Sequence, residues 1–86
     1  MKWRRSPSVL WRTAPGYLAV ATVDGSTIEV EGPGCDVWAH LAVWISEDAL
    51  TAALARQYGA EQRIVSPDVR ALLHELHGQG YVDRDE

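Results

Sequence analysis

Two turn signals, Pro15-Gly16 and Asp24-Gly25, stand so close together that the chain around them has few ways to fold. Ala14-Pro15-Gly16-Tyr17 has the Pro-Gly order of a type II turn. Asp24-Gly25 is among the strongest short hairpin signals, because both residues reach positive φ at low steric cost. The segments they separate, Ser8 to Thr13, Tyr17 to Val23 and Ser26 to Glu31, are rich in β-branched and aromatic residues. Connections this short join only antiparallel neighbours, so the spacing predicts a three-stranded meander. A two-residue loop at Asp24-Gly25 would set Ala21 opposite Ile28 and Ala19 opposite Val30. Thr27, Glu29 and Glu31 alternate with Ile28 and Val30, which gives the third strand one dry face and one polar face. That strand is an edge unless something covers it.

Beyond Gly32-Pro33-Gly34 the period of the apolar residues changes from two to that of a helix. Val37, Trp38, Leu41, Trp44 and Ile45 form a stripe within Cys35 to Ile45, and Trp38 and Trp44 are expected in the core. Ser46 caps a second helix that carries Glu47 and Asp48 in its first turn and stops at Gly59. Ile64 or Val65 is placed as a hydrophobic staple before a third helix, Ser66 to Gly78. There Ser66 is read as the cap, Pro67 as the first helical residue, and Gly78 and Gly80 as the stop. Val69, Leu72, Leu73 and Leu76 give that helix its buried face. Tyr81-Val82 is read as a short extended segment folding back on the helices. Strands followed by helices make this an α+β domain, with the helices on one face of the sheet and a winged-helix-like joint between the first two.

Eighty-six residues with a formal charge of −4 allow one domain, just large enough to bury its own core. Lys2, Arg4, Arg5 and Arg12 make the first dozen residues basic, so the remainder is acidic. Residues 1–7 are read as a flexible basic arm, 8–82 as a single domain and 83–86 as an acidic tail. The acidic body disfavours phosphate binding, and no apolar run reaches the length of a signal peptide or a membrane span. A lone cysteine, Cys35, fits a cytoplasmic setting. Cys35 with His74 and His77 lacks a fourth metal ligand, and its spacing from His40 puts those two side chains on different helix faces. No catalytic residue, metal or cofactor is expected.

Four pieces of local pattern carry a resemblance. They are Gly34-x-x-x-Trp38-x-x-Leu41; Ser46-x-x-Ala49-Leu50-x-x-x-Leu54 ending at Tyr58-Gly59; Asp68-Val69-x-x-Leu72-Leu73-x-x-Leu76; and Gly80-Tyr81-Val82. With the strands before them, they make the chain resemble the PqqD-like fold, also called the RiPP recognition element. Where that family often has a Leu-Asn pair leaving the third strand, this chain has Val30-Glu31-Gly32-Pro33. The resemblance implies a non-catalytic domain that binds the leader peptide of a ribosomally made precursor. The leader would add as a strand to the third strand and lie beside the third helix. A chain of this length is similar to the stand-alone leader-binding proteins of lasso-peptide pathways. The resemblance therefore implies as partners a leader-removing cysteine protease and an ATP-dependent cyclase, with neither nucleic acid nor membrane.

The residues suit that role independently, because an edge strand offers unpaired backbone groups to an extended peptide. The expected site is Thr27, Ile28, Glu29, Val30 and Glu31 on the strand, with Val69, Leu73 and His77 as a ridge on the helix. Arg70 and His74 would meet acidic or polar leader residues on the adjoining flank. Two rival readings use the same elements. One is a DNA-binding winged-helix regulator whose recognition helix would be Ser66 to His77, where Arg70 is opposed by Asp68 and Glu75. The other is an adaptor for a folded partner.

Overall fold

The computed structural model describes residues 1–85. Its elements in chain order are β1 (Lys2–Arg5), β2 (Leu10–Ala14), β3 (Tyr17–Ala21), β4 (Thr27–Glu31), α1 (Pro33–His40), β5 (Ile45–Ser46), α2 (Glu47–Tyr58), α3 (Gln62–Gly78) and β6 (Val82–Asp85). The fold is α+β, with the expected meander β2-β3-β4 and three helices. A second small sheet, in the order β5-β1-β6, was not foreseen.

The meander is built on its two turns, but in a register one residue away from the expected one. Val20 lies opposite Ile28 and Leu18 opposite Val30, while Ala21 and Ala19 face Thr27 and Glu29. The cause is the loop, which holds three residues rather than two. The Thr22 amide donates to the Ser26 carbonyl at 2.9 Å, and the Gly25 amide closes on the Thr22 carbonyl at 3.1 Å. Gly25 has φ +93°, a conformation that costs a side chain dearly and glycine little. The Asp24 carboxylate accepts from the Thr22 hydroxyl and the Ser26 amide, and those bonds pull its pKa below the ordinary value. The register puts Leu18 and Val20 into the core and leaves Ile28 and Val30 half-buried on the same face. Thr27, Glu29 and Glu31 are exposed on the other.

Residues 1–7 are not a flexible arm. Lys2 to Arg5 form the middle strand of the second sheet, flanked by Ile45–Ser46 and by Val82–Asp85. Trp3 is fully buried, and burial of a tryptophan is among the largest gains one side chain can bring. The tail forms the other half of that structure. Asp83 to Asp85 lie in β6, with Arg4 and Asp83 3.6 Å apart across the strands; Glu86 lies outside the described residues. Basic and acidic ends that look unrelated in the sequence are thus cross-strand neighbours.

The helices keep their expected order with shifted ends. α1 stops at His40, so Trp44 lies beyond it, 37% exposed, with the Arg4 guanidinium 4.4 Å above its ring. Trp38 is in the core as expected, and Trp11 sits edge-on to it while remaining largely exposed. Arg5 binds the end of α1 three times, its amide donating to the Leu41 carbonyl at 2.8 Å, its Nε to the Trp38 carbonyl at 3.0 Å and its Nη2 to the Ala39 carbonyl at 3.4 Å. A cation at that position also suits the helix dipole. α2 is capped as read, Ser46 Oγ accepting from the Ala49 amide at 3.1 Å.

α3 begins at Gln62 rather than at Ser66, which places Ile64, Val65, Ser66 and Pro67 inside the helix. The Ile64 and Val65 amides both close on the Glu61 carbonyl. Val65 packs against the core, so tertiary burial outweighs the backbone bond that Pro67 forfeits. The helix ends in a Schellman motif: Tyr81 donates to the Leu76 carbonyl at 2.9 Å and Gly80 to His77 at 3.1 Å. Gly80 takes the required left-handed φ of +84°. The reversal delivers Tyr81, fully buried, into the core and starts β6.

Candidate functional site

The meander ends at β4, and among the described residues no strand pairs with its outer side. Hydrogen-bonded pairs alternate along an antiparallel ladder. The bonds from Thr22 to Ser26 at one end and from Gly32 to Gly16 at the other set the phase. Leu18–Val30 and Val20–Ile28 are then the bonded pairs, and Thr27, Glu29 and Glu31 turn their N–H and C=O groups outward. The expected strand residues therefore divide into two jobs. Thr27, Glu29 and Glu31 offer backbone, while Ile28 and Val30 offer apolar side chains toward the helices.

Where α1, α2 and α3 meet lies an apolar cavity of about 230 Å³, lined among others by Gly34, Tyr58, Ile64, Val65, Asp68 and Leu72. Gly34 joins cavity to strand. A Cβ built there would stand 2.3 Å from Val30 Cγ1 and 3.6 Å from Leu72 Cδ2. Strand and helix thus converge on a residue that has no side chain. Cys35, next in line, donates its thiol to the Val30 carbonyl at 3.4 Å. The Tyr58 hydroxyl donates to the Asp36 carboxylate at the cavity's rim. Partial burial, then this bond and the carboxylate's charge, push the Tyr58 phenol up to about 12.

The expected helix residues do not gather here. Val69 touches the cavity but is 3% exposed, and Leu73 is completely buried. Arg70 turns to α2, where its Nε bonds Glu47 at 3.1 Å. His74 and His77 stand edge-on to the Trp3 ring at 5.5 and 5.8 Å, on the side of the second sheet. On α3 the cavity is lined by Ile64, Val65, Asp68, Val69 and Leu72; Ile64, Asp68 and Leu72 form the row one position over from the expected ridge, while Val65 and Val69 lie in that ridge's own row. The signal was present in the sequence. Val69, Leu73 and Leu76 already supply a full buried stripe, so a fourth apolar residue at 72 lies at the stripe's margin, where side chains are half-exposed.

Cys35 and His40 have no common site: the thiol is directed at β4 from the first turn of α1, and His40 lies in the last. Among the described residues no three His, Cys, Asp or Glu side chains cluster as metal ligands. No described helix is long and apolar enough to cross a membrane.

Comparison with known proteins places this geometry. No curated protein sequence matches the chain. Two solved structures share its fold at 15% sequence identity. One is TbiB1 in complex with the TbiA(β) leader peptide, with a TM-score of 0.84 over 96% of this chain and 98% of that one. The other is the PqqD portion of Methylobacterium extorquens PqqCD, described as a functional, stand-alone RiPP recognition element. Its TM-score is 0.79 over 96% of this chain and 89% of that one. The family model for coenzyme PQQ synthesis protein D matches residues 16–82, from the first turn of the meander to the start of β6, and the chain belongs to the PqqD family.

Proposed function

We propose that this domain binds the leader segment of a ribosomally synthesised precursor as a fourth strand on β4 and carries it to the enzymes of a lasso-peptide type of pathway. The observation that carries the reading is the conjunction of an unpaired edge with an apolar cavity between the helices, joined to β4 where Val30 meets Gly34. Backbone groups of Thr27, Glu29 and Glu31 supply affinity for any extended chain. The hollow bounded by Val65, Leu72 and the Gly34 backbone selects for an apolar side chain at the position facing it. Binding of TbiB1 to a leader peptide supports the class of ligand. The partner enzymes in this reading are the cysteine protease that removes the leader and an ATP-dependent cyclase, working in the cytoplasm. The domain itself does no chemistry: it raises the effective concentration of substrate at its partners.

A nucleic-acid role has little to stand on here. α3 exposes Asp68 and Glu75, and its Arg70 is held by Glu47, which leaves a poor surface for phosphates. Titration of the domain with the leader encoded beside its gene, against duplex DNA as control, tests the reading. Saturable leader binding with Kd of about 1 μM or tighter is expected, with Leu72→Asp weakening it at least about tenfold while the circular dichroism stays native. Salt-sensitive DNA binding without any response to leader would overturn it.

A further inference from the structure

The residues that turn their backbone outward on β4 also carry the acidic side chains. In any β-pairing the residues directly opposite one another share a face, whether the strands run parallel or antiparallel. A peptide seated on Thr27, Glu29 and Glu31 therefore places every second side chain beside Glu29 and Glu31, on the face away from the helices. The side chains in between lie beside Ile28 and Val30 and point toward Leu72 and the cavity.

Charge at the edge itself is acidic on the outer face. Across the ladder, Glu29 and Glu31 face Ala19 and Tyr17, and among the described residues no ion pair engages either carboxylate. Arg12 on β2 lies on that face in the same cross-strand row as Glu29, with Ala19 between them, and among the described residues no ion pair joins the two. Around the cavity the charged groups are Asp36 and Asp68, and Arg70 is spent on Glu47. A second copy of this chain is a poor occupant. Antiparallel pairing of two β4 edges sets Glu29 against Glu29, or Glu29 against Glu31, in the registers that use most of the edge, and like charges directly opposite destabilise a pair.

We propose that the β4 edge is selective for a cationic extended peptide with a two-residue period: lysine or arginine opposite Glu29 and Glu31, and apolar residues between them facing Ile28, Val30 and Leu72. This inference rests on the strand-addition reading above and deepens it by naming the ligand's pattern.

Panning a display library of random ten-residue peptides against the folded domain, and in parallel against its Glu29→Lys/Glu31→Lys variant, tests it. Peptides selected by the native domain are expected to carry Lys or Arg at alternate positions, those selected by the variant Asp or Glu. Replacing the basic residues of a selected peptide by Glu should weaken its binding to the native domain about tenfold. Selected peptides that shift the amide resonances of Thr27, Glu29 and Glu31 but show no charge preference, or the same one in both pannings, overturn the charge selectivity and leave strand addition intact. Peptides that bind without moving those resonances, or a library that yields no binder, overturn strand addition and the selectivity with it.

Discussion

Gly34 is the residue on which the groove turns. Its missing side chain is the space into which Val30 Cγ1 projects, 2.3 Å from where a Cβ would be. Gly34→Ala should therefore push α1 off β4 and cost about 1–3 kcal/mol, the usual toll of overpacking. Urea denaturation would show it as a lower midpoint with unchanged slope, and an unchanged midpoint would mean that the contact is loose. Leu72 and Leu73 make the complementary point. Adjacent in sequence, they differ in kind, because Leu73 is fully buried in the core while Leu72 is only half-buried beside the cavity. A charge at 73 tests folding; a charge at 72 tests the groove. The apolar periodicity of α3 shows that one face is buried, but whether a residue sits at the centre or the margin of that face depends on how the helix is rotated against its neighbours. Residue types alone left that angle open by one position.

Among the elements, α1 and α2 are tied at the cavity rim by the bond from Tyr58 to Asp36. The Tyr58 phenol is raised from 10.0 to about 12, which makes the tie sensitive to alkali. Below pH 10 the phenol is protonated whether the chain is folded or not, and its contribution is complete. As pH rises from 10 toward 12 the unfolded chain loses the proton first, so stability falls, and the contribution is gone above the folded value. Tyr58 is 43% exposed, so solvent screening reduces the effect to a fraction of what the shift alone implies. Urea midpoints from pH 9 to 12 should drop more steeply for the native chain than for Tyr58→Phe; parallel curves would show the bond to be dispensable. Element types and order were legible throughout the meander and the helices, where turn dipeptides, the Ser46 cap and the Gly59 and Gly80 stops act locally. Boundaries failed where distant contacts decide them. Ser66-Pro67 has the local chemistry of a helix start, yet Val65 gains more by packing on the core as part of α3. The Asp24-Gly25 loop took one more residue than its two-residue signature, and every cross-strand partner moved with it.

For the molecule as a whole, the least legible feature was the second sheet. Its strands come from the two ends of the chain and from a two-residue segment in the middle, so no local pattern announces it. Only Trp3, an aromatic in a basic stretch, hinted that the first residues are packed. Trp3→Ala should cost about 3–5 kcal/mol, a large part of what a domain of this size has. Chemical denaturation would read it directly, with Trp11→Ala on the exposed β2 as the milder comparison. A loss within about 0.5 kcal/mol, as for a surface site, would return the first strand to the status of an arm. The edge strand of the candidate site was legible in the sequence because alternation and turns are local; the cavity beside it was not, because it is built where three helices meet. The pairing of β1 with β6 also bears on how the protein is made. Once made, β1 has only the two residues of β5 to pair with until residues 82–85 have followed, so one side of the strand that carries the buried tryptophan stays open until then. The meander, with its short-range pairs, can assemble during translation, whereas closure of the second sheet is a late, long-range event that waits on the last strand.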